Sequence, residues 1–460
     1  MYILTLVVML SVTLCSYLTD IRVAPQAVKY FPEVLSVIVV VYVLAAGARQ
    51  RFKFVGTEYW IAFAALSIVI ICGVTANGVA PGPVFGGLRY YLRAMPLFLL
   101  PAVLEYDDWQ LQRQLKLLFG ISLLQLPIAG YQRLLVMRLH HWSGDPVIGT
   151  LIISSILSIF LIAGICIMAG LTLKGRLSRF GFVVGFLLLV LPTTINETKG
   201  TLFLLPVGLI TTLLVGSEPG KRMRIVVGAT TLMVLFLAIY IPIYDYFSTR
   251  DNPYPVTIAS FFGNEQNVEH YVNQNAELGT RKEAGRLDAI TVPLHGLASD
   301  PVKLVFGVGI GNASHSSLGG NFNGAYYALF GRYAGISSAS TFILEIGLLG
   351  LALVFWLYWL IFRDSLFVAA NSPGTLGGIA LGWTGITIVM AISTFYKATH
   401  VFDSLSYLFW YFSGLIAAGR MRITLSRPAA TVTEPRPLVS SRRPRTRRAR
   451  ARSREANAGR

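Results

Sequence analysis

Residues 180–216 read FGFVVGFLLLVLPTTINETKGTLFLLPVGLITTLLVG. Two apolar runs flank a short polar stretch, TTINETKGT at 193–201, which sets Glu197 and Lys199 beside Asn196 and Thr198. At about 1.5 Å per residue, a helix of either run reaches most of the way across a bilayer's hydrocarbon core. Backbone groups in lipid have no water to bond, so such runs must be helical. The stretch therefore reads as a helical hairpin in a membrane. Its tip is either a solvated turn or a charged residue held at the membrane face to grip an anion.

The remainder of the chain repeats the pattern. Of 460 residues, 54% are apolar and only 13% charged, and the mean hydropathy is +0.61. A soluble protein of this length would carry roughly a quarter charged residues. The composition predicts an all-α polytopic membrane protein with about twelve transmembrane helices. The expected spans are 2–18, 31–48, 59–76, 88–104, 115–135, 148–171, 180–195, 200–216, 225–246, 338–362, 375–395 and 402–419. Cys15, Cys72 and Cys166 all fall within apolar runs, which excludes a disulfide framework or a metal spacing. The N-terminal run MYILTLVVMLSVTLC lacks a basic leader and a small-residue cleavage site, and reads as a retained first helix.

Alternate connections differ in charge. One set holds Arg49, Arg51, Lys53, Arg113, Lys116, Lys174, Arg176, Arg179, Lys221, Arg222, Arg224 and Arg363; the other holds Arg22, Lys29, Arg138, Lys199 and Lys397. The positive-inside rule makes the first set cytoplasmic, with both termini on that side. The tail from Arg420 to Arg460 has 13 Arg against Glu434 and Glu455. It reads as a disordered basic tail beside a last span, a topology signal or an anionic-lipid contact rather than a nucleic-acid arm.

These spans divide the chain into 1–246 (the first nine helices), an extracytoplasmic loop at 247–337, the last three helices at 338–419, and the tail at 420–460. A structureless loop of that length is unusual inside a compact protein. Order is expected in GRLDAITVPLHGLASDPVKLVFGVGIGNAS (285–314), where Leu287, Ile290, Leu294 and Leu297 recur at helical spacing. Pro293 should kink that helix, and Gly307, Gly309 and Gly311 read as a tight turn rather than a dinucleotide loop.

On this topology many cations lie at the outer face, against the positive-inside trend: Arg89 and Arg93 in GGLRYYLRAMPLF, Arg133 and Arg138 in YQRLLVMRLHHWSGDP, Lys199, Arg281, Lys282, Arg286, and Lys397 with His400 in STFYKATHVFD. Snorkelling to headgroups accounts for a single cation of this kind. A cluster is more economically read as a site for one shared anion, and the planar fork of Arg suits phosphate. A lipid pyrophosphate supplies the phosphates, an apolar tail for the helices and a bond whose cleavage drives transfer. No metal or other cofactor is expected, because no paired outer acids with ligand spacing stand out.

The chain resembles the O-antigen ligase and polymerase (Wzy-like) superfamily of bacterial polysaccharide assembly over roughly residues 85–362. Three stretches carry the likeness: TTINETKG, like the family's outer turn; the Arg-led helix and glycine run at 285–311; and SSASTFILEIGLLGLALVFW at 337–356, like its helix entry. The resemblance implies that Arg286 matches a loop arginine contacting the lipid pyrophosphate and that Lys199 replaces a second arginine. Arg133 and Arg138 fall where the family adds further diphosphate contacts. Where ligases carry a histidine that activates the acceptor hydroxyl, this chain has Ser337, Ser338, Ala339 and Ser340, which favours a repeat-unit polymerase over a ligase. His315, His400, Glu345 and Asp403 are the candidates to assist the acceptor, and His315 also reads as solvated.

The expected catalytic set is Arg286, Lys199 and His400, with Arg89, Arg93, Arg133, Arg138, Arg281, Lys397 and His315 in substrate binding. The implied partners are an undecaprenyl-pyrophosphate-linked oligosaccharide, membrane lipids and other polysaccharide-assembly proteins such as a flippase and a chain-length regulator. The implied location is the bacterial inner membrane. A ligase with another acceptor and a lipid-linked oligosaccharide flippase are the alternatives.

Overall fold

The computed structural model describes residues 2–50, 55–136, 147–218, 220, 222–251, 257–264, 276–278 and 281–426. The helices are α1 (Tyr2–Asp20), α2 (Phe31–Gln50), α3 (Thr57–Ala76), α4 (Pro81–Leu92), α5 (Pro96–Val103), α6 (Asp108–Tyr131), α7 (Ser154–Leu173), α8 (Arg179–Ile195), α9 (Thr201–Val215) and α10 (Arg222–Asp251). A short α11 (Ile258–Gly263) and a two-stranded antiparallel hairpin, β1 (Ala276–Leu278) with β2 (Arg281–Glu283), follow. Then come α12 (Asp288–Leu297), α13 (Pro301–Phe306), α14 (Tyr327–Phe330), α15 (Ser338–Asn371), α16 (Thr375–Tyr396) and α17 (Asp403–Ser426). This is an all-α membrane-embedded chain: among the described residues, seven helices are long and apolar enough to cross a membrane.

The core is built around α16 and α7, which pack on each other and on α9, with α15 closing against α16. Nearly every residue of α7 is buried, whereas α10 turns Val227, Val234 and Leu235 outward as a lipid-facing helix does. Helices in lipid gain no hydrophobic drive from association, so close backbone approach has to supply the contact. A Cβ on Gly385 would lie 2.2 Å from the Gly208 carbonyl, and one on Gly414 would lie 1.8 Å from that of Phe98.

Several boundaries differ from the sequence-based expectation, each for a physical reason. The expected span 88–104 is two helices. Pro96 has no N–H to donate to Leu92 and its ring crowds the preceding turn, so the chain breaks at Arg93–Met95. The helices around 338–362 and 402–419 run on to Asn371 and Ser426, and the one expected to end at 246 runs on to Asp251. Apolar length marks what can lie in lipid, whereas a helix ends only where its backbone bonding ends. Residues 420–426 are accordingly helical, and the rest of the proposed tail lies outside the described residues.

The expected helix at the start of the 285–314 stretch is α12, which passes through Pro293. The glycine run after α13 is not a turn over the surface. Gly307, Gly309 and Gly311 all have φ between +74° and +94° and thread between α3, α4 and α15. A Cβ on Gly311 would stand 1.9 Å from the Pro83 carbonyl, and one on Gly307 would stand 2.4 Å from the Glu345 carbonyl carbon. Helix α15 makes room by breaking at Gly347 (φ 68°), and the Val308 N–H bonds the Leu344 carbonyl at 2.7 Å. The loop is thus latched to the bundle between Leu344 and Gly347, on both sides of Glu345.

Candidate functional site

The tip of the α8–α9 hairpin is neither a solvated turn nor a bare cation. Asn196, Glu197 and Thr198 are all buried. Asn196 Nδ2 donates to the Ser154 carbonyl and to Ser158 Oγ, at 3.0 and 2.9 Å, and its Oδ1 accepts from the Thr198 N–H. Tyr240 donates its hydroxyl to the Thr198 carbonyl. Glu197 sits at φ 56°, a region that disfavours a residue with a side chain, and its carboxylate meets Arg133 at 2.5 Å.

Arg133 lies in a π-helical turn (Gln132–Val136) at the end of α6. It is 2% exposed, stands over the Phe247 ring and donates to the Phe247 carbonyl. The expectation that it reaches a substrate gives way to a packing role, because a charge this deeply buried has to be paired. A sequence pattern does not show that Glu197, 64 residues on, returns to it.

Lys199 stands over the rings of Tyr244 (5.7 Å) and Phe261 (4.9 Å). Its neighbour Gly200 lies so close to Tyr396 that a Cβ there would be 2.7 Å from the ring. Arg286 stacks on the same Tyr396 ring at 4.2 Å and donates to the Tyr396 carbonyl. Arg286 and the Gly200 backbone next to Lys199 therefore meet at one aromatic side chain at the end of α16, beside Lys397. Arg138 lies outside the described residues, and Arg281 falls in β2, where only the backbone is described.

A second group lines a cleft of about 370 Å³. It gathers Lys29, Glu33, Arg89, Tyr91, Arg93, His315, Glu345, His400 and Asp403. The cations here are not open. Arg89 grips Glu33 with a two-pronged pair, Nε to Oε2 at 2.7 Å and Nη2 to Oε1 at 2.6 Å. Arg93, placed in the α4–α5 break, bridges Glu33 (3.2 Å) and Asp403 (2.9 Å) and donates to the Val401 carbonyl. The expectation of Arg89 and Arg93 as anion contacts omitted these two carboxylates, which lie 370 residues apart in the chain. His315 is exposed at the rim, edge-on to Tyr327 at 5.8 Å.

His400 comes from a short helical turn (Thr399–Val401) between α16 and α17. Its Nδ1 lies 2.9 Å from Ser338 Oγ. The Ser338 hydroxyl donates to the Lys397 carbonyl (3.3 Å). The same hydroxyl also meets Thr399 Oγ1 at 3.2 Å, and in the tautomer whose Nδ1–H donates to Ser338, Nε2 is a bare acceptor. Burial, and then the charge of Arg93, push the imidazole down to about 3, so it is neutral at neutral pH. The ring is wedged between Phe342 (4.7 Å) and Tyr91 (5.6 Å). Ser338, in the serine-rich entry to α15, thus holds a histidine delivered by another segment.

Among the described residues, five buried polar atoms of cleft-lining residues lack a hydrogen-bond partner: Tyr91 Oη, Arg93 Nε, Glu345 Oε2, His400 Nε2 and Asp403 Oδ1, the last of them ion-paired with Arg93. Glu345 is 1% exposed. Its Oε1 accepts from the Ser314 N–H (3.1 Å) and hydroxyl (2.6 Å), while Oε2 and the Tyr91 hydroxyl face each other as a close but poorly aligned polar pair. Buried polar groups are nearly always satisfied, so such a cluster marks a place where something binds. Neither the protein-family models nor the curated proteins compared with the chain match it.

Proposed function

We propose that the protein is a polysaccharide polymerase of the Wzy-like kind. It transfers a glycan from undecaprenyl pyrophosphate to a sugar hydroxyl of another lipid-linked repeat unit, at the outer face of the bacterial cytoplasmic membrane. The proposed arrangement has twelve spans and both termini in the cytoplasm. One observation carries the reading: a single eight-residue connection, Tyr396–Asp403, joins the cationic group to the cleft. Its Tyr396 end seats Arg286 beside the Lys199 hairpin, and its His400 and Asp403 line the cleft. A donor diphosphate and an acceptor hydroxyl require that kind of adjacency.

In this reading the acceptor oxygen attacks the anomeric carbon of the donor sugar. The bond from that carbon to the pyrophosphate oxygen breaks, and its electron pair leaves with the lipid pyrophosphate. Arg286 and Lys199 stabilise the charge that develops there. The acceptor hydroxyl donates a hydrogen bond to His400 Nε2, which orients its oxygen for attack, and its proton is lost to the leaving pyrophosphate as the new bond forms.

Full-length protein in liposomes with a purified lipid-pyrophosphate-linked repeat unit tests this. A ladder of multiples of the repeat is the expected product. Movement of the lipid between leaflets without bond formation would replace the reading with a flippase, and a single addition to a non-repeat acceptor would replace it with a ligase.

A further inference from the structure

We infer that the cleft is the acceptor subsite, that it is built for an uncharged, hydroxyl-rich saccharide rather than for phosphate, and that Glu345 and Tyr91 are its binding residues. The inference rests on the polymerase reading for the word acceptor, but its physical content stands on the cleft alone. Three cations line it, Lys29, Arg89 and Arg93, and three carboxylates face them, Glu33, Glu345 and Asp403. The two guanidinium groups are held by carboxylates at 2.6–3.2 Å. To reach either Arg, a pyrophosphate would have to displace a bound carboxylate in a partly desolvated place.

A saccharide makes the opposite demand. Each hydroxyl is both a donor and an acceptor, and the open valences of the cleft are of both kinds. Glu345 Oε2 and His400 Nε2 accept, whereas Arg93 Nε donates and the Tyr91 hydroxyl does either. Glu345 can present its free oxygen because Ser314 satisfies the other one, and because the break at Gly347 and the glycine latch hold that turn of α15 in place.

Binding is measured without catalysis, on the full-length protein in nanodiscs, using a panel of neutral di- and trisaccharides of hexoses and N-acetylhexosamines, with inorganic pyrophosphate as competitor. At least one member of the panel is expected to bind. Glu345→Gln and Tyr91→Phe are each expected to weaken it about tenfold or more, the scale of a hydrogen bond to a charged or buried polar group. Added pyrophosphate should leave it within about twofold. Either variant suffices if the other misfolds, as judged by its melting temperature. Absence of saccharide binding by the unaltered protein, displacement by pyrophosphate, or unchanged binding by a folded Glu345→Gln protein would overturn the inference. A protein that binds saccharide but forms no polymer would keep the subsite and lose the polymerase reading. One that polymerises with an unchanged acceptor KM in Glu345→Gln would do the reverse.

Discussion

The two ends of α15 each carry a buried carboxylate, and they treat it differently. Near one end is Glu345; near the other is Asp364, 2% exposed, roughly 30 Å away at the rise of a helix. Every polar atom around Asp364 has a partner. Tyr59 donates to Oδ2 at 3.0 Å, Arg363 and Arg420 close on Oδ1, and Arg363 also reaches Glu58 at 3.3 Å. Around Glu345 the polar groups are poorly matched: Tyr91, Arg93, Glu345 and His400 each keep a buried atom without a well-formed hydrogen bond at the edge of a cleft. The first arrangement is a clamp between α3, α15 and α17. The second has the incompleteness of a site awaiting a ligand.

The largest effect expected from this contrast is at the clamp. Asp364→Ala strands Arg420 and Tyr59 in the bundle and should cost about 3–5 kcal/mol of stability, read as a lowered melting temperature in detergent. Glu345→Gln leaves the carboxamide able to accept from Ser314, and its melting temperature should stay close to that of the unaltered protein. Equal losses at both ends would erase the distinction.

A second change sharpens the comparison within the cleft. Glu33→Gln removes the carboxylate shared by Arg89 and Arg93 and leaves the cleft with a net positive charge. Pyrophosphate binding should then rise by about tenfold, on the scale of one charge-assisted hydrogen bond. No gain in titration calorimetry would mean that the guanidinium groups are held for some other purpose.

The smallest effect is that of pH on stability. The folded protein holds His400 at about 3, well below the 6.5 or so of an unfolded histidine. As pH falls from about 6.5 toward 3, the unfolded chain takes up a proton that the folded one refuses, so this contribution to stability is full above 6.5 and is lost in that window. His400→Gln should flatten the corresponding part of the melting-temperature profile. An unchanged acid slope would place the sensitivity elsewhere.

Most of the helical plan is legible in the chain, because apolar length and the need to bond every backbone group in lipid leave few choices. The break at Pro96 is written in RAMPLF, yet hydropathy averages across it and returns one span. Helix ends beyond the lipid are invisible to the same measure: α15 and α17 continue through Asp364 and Arg420, whose pairing offsets the polarity. The polar contacts were the least readable. Glu33 reaches Arg89 and Arg93 from 56 and 60 positions away, Glu197 reaches back to Arg133, and His400 meets Ser338 across 62. Charge at a membrane face can be read from one strand of sequence, but which charges cancel depends on how distant helices meet. Arg89, Arg93 and Arg133 are among those outer cations, and each is paired with a carboxylate brought from a distant segment.

The central claim is that Arg286, seated on Tyr396 beside the hairpin, stabilises a leaving lipid pyrophosphate. Its most direct measurement is the polymerisation rate of Arg286→Ala against the unaltered protein, in liposomes at matched protein level and saturating acceptor. A fall of about a hundredfold or more is expected, the scale of losing one charge-stabilising donor. Near-normal polymer from the mutant would contradict the account.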